Sequence, residues 1–255
     1  MRALIVFIFF LIAASLVSCK KSTIKSEGIV IVDVADFGRE IIAKQIAIID
    51  SLSPKVVAID LQFSTRKDER TDSVFASVLS RCDNLVMVSV INHDYAGEDI
   101  EYEELIEPLP EFSMHAKTGF ANAILEDDEF QTLKRFSIRE RVAGKTEYHF
   151  AVRTAMCFDS LRTMSFIQSN PKIIDVEYRG NTEAFMVFSA ADVLERKITS
   201  KDIEGKIVLI GSFSPFDYDL FFTPISSKKK PHMPDMFGVV YLANIVAQIL
   251  PPLRE

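Results

Sequence analysis

Residues 29–63, IVIVDVADFGREIIAKQIAIIDSLSPKVVAIDLQF, decide how the chain folds. Two continuous apolar runs each end at an aspartate, Asp33 and Asp60. Both are rich in Val and Ile and do not alternate with polar residues, which is the pattern of strands covered on both faces of a parallel sheet. Between them Ile42, Ile46 and Ile49 recur at helical spacing, flanked by Ile41, Ile48 and Leu52, and Pro54 marks the exit. The stretch reads as strand, crossover helix, strand, with a right-handed crossover.

Downstream the alternation continues. Residues 64–70 are polar and read as a loop. Val74, Phe75, Val78, Leu79 and Cys82 mark an amphipathic helix opened by Thr71 or Asp72 as N-cap. Residues 85–91, LVMVSVI, form a third buried strand. The acidic stretch 94–107 lacks apolar periodicity and reads as a surface excursion or edge hairpin. After a short apolar run at 119–124 come extended segments with a turn at Ala143, Gly144 and Lys145. A helix is expected over 147–158, with Phe150, Ala151, Ala155 and Phe158 on its core face, then a strand over 173–178 closed by Gly180 and Asn181. Residues 185–188 lead into a short helix at 190–196. KIVLIGS at 206–212 is a further buried strand, and 238–250 is a final helix ended by Pro251 and Pro252. The expected fold class is α/β, a mostly parallel sheet flanked by helices, with an irregular β-containing insert.

At 255 residues the chain has room for one large α/β domain or two small ones, and 48 % hydrophobic content supplies a core. A net charge of -7 argues against a nucleic-acid partner, which would need a basic stripe. The basic run 228–230 is too short to reverse that and reads as a solvated loop. The three cysteines, Cys19, Cys82 and Cys157, have no zinc-like spacing. Cys82 and Cys157 read as buried free thiols, with a disulfide between them left open. There is no nucleophile elbow, no Gly-rich dinucleotide loop and no Walker loop, so no cofactor is expected.

The N-terminus, MRALIVFIFFLIAASLVSCKK, reads as an export signal. Arg2 forms a minimal basic region, and the run that follows is apolar apart from Ser15. Leu16, Val17, Ser18 and Cys19 resemble a bacterial lipobox, which makes Cys19 the candidate lipidation site. An uncleaved transmembrane anchor is the competing reading. Residues 1–19 are thus a signal peptide or membrane anchor and 20–28 a polar tether. On either reading the chain is tied to the membrane through its N-terminus and lies outside the cytoplasm, in the periplasm or at the cell surface.

The segments IVIVDVAD, LSPKVVAIDLQF, TDSVFASVLS, NLVMVSV, TGFANAI, EYHFAVRTA, VEYRGN, SAADVL, GKIVLIGSF, FFTPI and GVVYLANIVAQIL, taken in order, resemble the CHASE2 domain. That family is an extracytoplasmic sensory module found on bacterial adenylate cyclases, histidine kinases, serine/threonine kinases and phosphatases. The resemblance covers residues 29–250 and leaves 251–255 as a short tail. It implies a sensory fold and brings no established ligand or catalytic residue set. Family members usually continue into transmembrane segments and an output domain, so the expectation is a stand-alone or truncated form lacking an output domain.

In open α/β sheets ligands collect beyond the carboxyl ends of the strands, at a topological switch point. The candidate ligand-binding residues there are Asp33, Asp36, Asp60, Gln62, Asn92, Gly211, Ser212 and Asp217, with His93 beside them. Asp33, Asp36 and Asp60 could hold a hard cation if they converge; helix capping and loop fixing is the favoured alternative, and no metal site is assigned. Phe213, Phe216, Phe221 and Phe222 make an aromatic loop, read first as core packing and second as a pocket wall or partner surface. The expected function is a membrane-tethered sensory module that binds a small ligand or an envelope protein, without catalysis. The alternatives are a structural or interaction protein of the cell envelope and, third, a metal-dependent enzyme using the aspartates.

Overall fold

The computed structural model describes residues 28–93, 100–214, 219–226 and 233–251. The export signal with Cys19, the basic run 228–230, Phe216, Asp217 and His232 lie outside the described residues. In chain order the first elements are β1 (Ile29–Asp33), α1 (Arg39–Asp50), β2 (Val56–Ile59), α2 (Glu69–Leu79) and β3 (Leu85–Ile91). An excursion follows: β4 (Glu101–Tyr102), β5 (Leu105–Ile106), α3 (Pro110–Ser113), β6 (Lys117–Phe120), β7 (Ile124–Leu125), β8 (Leu133–Ser137), β9 (Arg139–Val142) and β10 (Lys145–Tyr148). The chain then runs through α4 (Phe150–Phe158), α5 (Ser160–Ser169), β11 (Ile173–Asp175), β12 (Met186–Phe188), α6 (Ala190–Leu194) and α7 (Ser200–Ile203). It continues with β13 (Ile207–Gly211), β14 (Leu220–Phe221), β15 (Met236–Phe237) and α8 (Gly238–Ile249).

The central sheet has the order β12-β1-β13-β2-β3, every pair parallel. The far edge of β3 is divided: β6 pairs with it in parallel over residues 86–89, and β5 runs antiparallel beside Val90 and Ile91. This is the expected mostly parallel sheet flanked by helices, with the β-rich excursion added. Because the side-chain period of a strand is two, each apolar run feeds two cores. Ile29 and Ile31 of β1, Ala58 of β2 and Leu209 of β13 face the core shared with α4, α5 and α8. Val30, Val32, Ile59, Val208 and Ile210 face the opposite core, formed with α1, α2 and α6. Ile42, Ile46 and Ile49 of α1 are all in that second core, as their spacing predicts.

α8 is the buried spine of the first layer. Eleven of its twelve residues are buried, which requires a helix apolar on all sides. Its one fully buried amide, Asn244, is satisfied: Oδ1 accepts from the Arg179 N–H at 2.8 Å, and Nδ2 donates to the Gly180 and Val240 carbonyls at 3.0 and 2.9 Å. On the other layer Arg39 is buried against Asp72. Its guanidinium also donates to the Thr65 carbonyl and lies 5.2 Å from the centroids of the Phe63 and Phe112 rings.

Three local readings change. α2 begins at Glu69 and is capped by Asp68, whose side chain accepts from the Thr71 N–H at 3.0 Å; Asp72 is instead drawn inward as the counter-ion of Arg39. Residues 147 and 148, expected as the start of the helix, belong to strand β10 instead. Ala143 (φ 47°) and Gly144 (φ 79°) turn the chain back so that β10 pairs with β9, and α4 starts only after His149. The strand expected at 173–178 is the shorter β11, which pairs antiparallel with β8 outside the central sheet. Cys82 is a buried free thiol, and Cys157 is free and partly buried.

Candidate functional site at the carboxyl ends of the strands

The helices that follow β1 and β2 lie on one face of the sheet, whereas β13, between those two strands, leads to α8 on the other. Chain directions therefore diverge at the carboxyl ends of β1, β13 and β2, which is the geometry of a switch-point crevice. Close packing sets its floor. A Cβ built on Gly211, the last residue of β13, would fall 2.6 Å from the Val239 Cβ, so glycine is what lets α8 start directly against the strand.

Asp33, at the end of β1, joins the loops on either side. Its Oδ1 accepts the N–H groups of Ala35 and Phe213, each at 3.0 Å, while the Val34 N–H donates to the Gly211 carbonyl. Ala35 has φ 53°, a left-handed conformation that this carboxylate holds in place. Ser212 is partly buried and its Oγ accepts the Ser214 N–H at 3.1 Å. Phe213 stacks on Phe237 with ring centroids 4.7 Å apart, Phe221 packs on the first core and Phe222 lies against Phe130.

Asp60 directly follows β2 and is anchored by its backbone N–H, which donates to the Ile210 carbonyl at 2.8 Å. Its partly buried carboxylate accepts no hydrogen bond among the described residues. Burial first, and the Asp219 carboxylate second, push its pKa up to about 8. Asp219 is held over the start of α8: its carbonyl accepts the Gly238 N–H at 3.0 Å, and a Cβ on Gly238 would collide with its carboxylate. A carboxylate at a helix N-terminus is favoured by the helix dipole. The crevice thus sets two carboxylates of unequal surroundings side by side, one supported by a helix end and one unsupported.

The remaining candidates are dispersed. Asp36 and Gln62 are exposed in the loops after β1 and β2. Asn92 turns to the sheet edge, where its Nδ2 donates to Glu104 Oε2 at 2.5 Å. Among the described residues no group of three or more His, Cys, Asp and Glu side chains is placed to hold a metal ion, so Asp33, Asp36 and Asp60 do not form the cation site weighed from the sequence. Asp219 is the site residue that sequence reasoning missed. It sits in the run DYDLFF, two positions from Asp217, and nothing local distinguishes the two.

Among the described residues no helix is long and apolar enough to cross a membrane. No curated protein and no solved structure matches the chain. A family model described as the CHASE2 domain matches residues 16–255. CHASE2 domains are extracytoplasmic sensory domains of signalling proteins and are non-catalytic. With nearly the whole chain matched, the protein belongs to the CHASE2 domain family.

Proposed function

We propose that this chain is a membrane-tethered extracytoplasmic sensory module without intrinsic catalysis, and that it binds a small ligand in the crevice at the strand ends. The observation that carries the reading is Asp60, a carboxylate at the switch point with no hydrogen-bond donor among the described residues and with Asp219 as its charged neighbour. A ligand bearing a cation or hydrogen-bond donors would stabilise the ionised pair. A proton stabilises the same site in its other form. Since Asp219 sits on the first residue of α8, occupancy would bias the position of that helix, and the bias is the ligand's difference in affinity for the two arrangements.

The tether is the N-terminal run, with Cys19 acylated. Replacing Cys19 by alanine should move the protein from the membrane fraction to the soluble fraction of cells. The sensory role is tested by thermal shift of the full chain against divalent cations, polyamines, quaternary ammonium compounds and neutral sugars. A shift in the wild type that is lost in Asp60→Asn supports the crevice. Equal stability with every compound would favour an envelope docking protein instead.

A further inference from the structure

The amino ends of the parallel strands form a second face, opposite the crevice. Gly28, Lys55, Asn84, Lys117 and Lys206 lie at or just before the starts of β1, β2, β3, β6 and β13, which pair side by side. α4 starts after His149, which is bridged to Phe120 at the carboxyl end of β6. It ends at Phe158, whose ring centroid is 4.4 Å from Lys55 Nζ. α4 therefore runs back to the amino-end face, and α5 begins there. α8 likewise leaves the carboxyl end of β13 at Gly211 and ends beside the start of α5, where the Pro251 carbonyl accepts from Arg162.

The two most exposed large apolar side chains among the described residues, Leu161 at 84 % and Met114 at 74 %, are both at this face. Leu161 is in the first turn of α5, and Met164, also exposed, follows one turn later. α5 climbs away from the face: past its end the Lys172 carbonyl accepts the Ile138 N–H, and the Ile138 carbonyl accepts the His149 N–H. Helical side chains lean toward the helix N-terminus, so Leu161 and Met164 lean onto the face. Met114 lines a cleft of about 250 Å³ together with Asn84, Lys117 and Cys157, which joins it to the end of α4. Lys55, Lys117 and Arg162 accompany these apolar groups, and Asp83 is the carboxylate of the same cleft. Exposed apolar side chains gathered on one face among polar ones mark an interaction surface.

The chain itself indicates what covers the face. β1 starts here, so the chain enters at residue 28, and residues 20–27 that lead back to Cys19 reach at most about 28 Å when fully extended. We propose that this face rests on the phospholipid bilayer, with Leu161, Met164 and Met114 seated at the boundary of headgroups and acyl chains. Lys55 and Lys117 then lie beside the lipid phosphates, their apolar stems following the surface. This placement rests on the N-terminal tether of the proposed function and adds an orientation to it. The strand-end crevice, at the opposite end of the sheet, points away from the bilayer, where water-soluble ligands arrive.

The chain contains no tryptophan, so a single introduced indole reports its own surroundings. Leu161→Trp, Met114→Trp and, as the control at the crevice end, Phe37→Trp are made in the full chain and reconstituted into phosphatidylcholine–phosphatidylglycerol vesicles. Brominating the acyl chains should remove about half or more of the emission of Leu161→Trp and Met114→Trp, since an interfacial side chain sits at acyl-chain depth, and should leave Phe37→Trp unchanged. Leu161→Asp with Met164→Asp, both at exposed positions, should lift the quenching of Met114→Trp and leave the melting temperature unchanged. Sedimentation of Phe37→Trp with the vesicles reports the tether alone. Failure to sediment would overturn the tether and this placement together, whereas sedimentation without quenching at Leu161→Trp would overturn the placement only. Equal quenching of Phe37→Trp, or undiminished quenching of Met114→Trp beside the two aspartates, would also overturn it. So would blue-shifted emission that brominated lipid leaves intact, which would mean that a second copy or another protein covers the face.

Discussion

Asp60→Asn should make the protein more stable at alkaline pH and should flatten its pH dependence. In the unfolded chain the carboxyl ionises around 3.8, and in the folded protein at about 8. Between those values the unfolded state releases a proton that the folded state keeps, so stability falls as pH rises through this window and levels off above it. At about 1.4 kcal/mol for each pH unit, the full window amounts to on the order of 5 kcal/mol, part of it belonging to the repulsion from Asp219. That is comparable with the whole stability of a typical domain, about 5–15 kcal/mol. Asparagine has the same shape and does not titrate, so the penalty disappears. Urea unfolding of wild type and variant at half-unit steps from pH 5 to 9 reads this directly. Their difference should widen steadily toward pH 8 in favour of the variant. Parallel curves, or a variant that is less stable throughout, would refute the assignment of an unsupported carboxylate at this position.

Three further outcomes follow from the packing. Asn244→Ala strips partners from the Arg179 N–H and the Gly180 carbonyl inside the core, and should cost about 2–4 kcal/mol in chemical denaturation; a loss below about 1 kcal/mol would mean that water replaces the amide. Arg39→Ala leaves Asp72 buried without its counter-ion and should cost about 3–5 kcal/mol, whereas Arg39→Met with Asp72→Leu should recover most of it, as a two-variant melting comparison would reveal. Gly211→Ala pushes a methyl to within 2.6 Å of Val239 and should cost about 1–3 kcal/mol, with Val239→Ala partly rescuing it in a double-mutant cycle.

The central sheet is legible in the sequence because its strands are buried on both faces. Val30 and Ile31 point to different cores, yet both must be apolar, and an unbroken run of such residues does not suit a strand with one face in water. The spacing of Ile42, Ile46 and Ile49 likewise reports one buried face. Features that depend on partners distant in sequence are not legible in this way. Residues 158–160 read as a simple end to α4, whereas Asp159 breaks that helix and caps α5 through the Arg162 N–H. Arg39 looks like a solvated charge at a helix start, and its burial is decided by Asp72 and three phenylalanine rings supplied by other segments. Of the site, Asp33, Asp60 and Gly211 stand out as residues ending buried strands. Asp219 does not, because its place over α8 depends on the return of the chain from β13 to the other face of the sheet.

Hydrogen exchange across the crevice tests the sensory reading most directly, with the proton as the simplest ligand. The peptides to follow contain residues 33–38, 60–64 and 236–240, measured at pH 6 and pH 9 and corrected for intrinsic rates, with residues 207–210 as the internal reference. If the carboxylate pair biases α8, protection at 236–240 should drop at pH 9 relative to the reference in the wild type and stay constant in Asp60→Asn. Equal protection at both pH values in the wild type would contradict a responsive site at the strand ends.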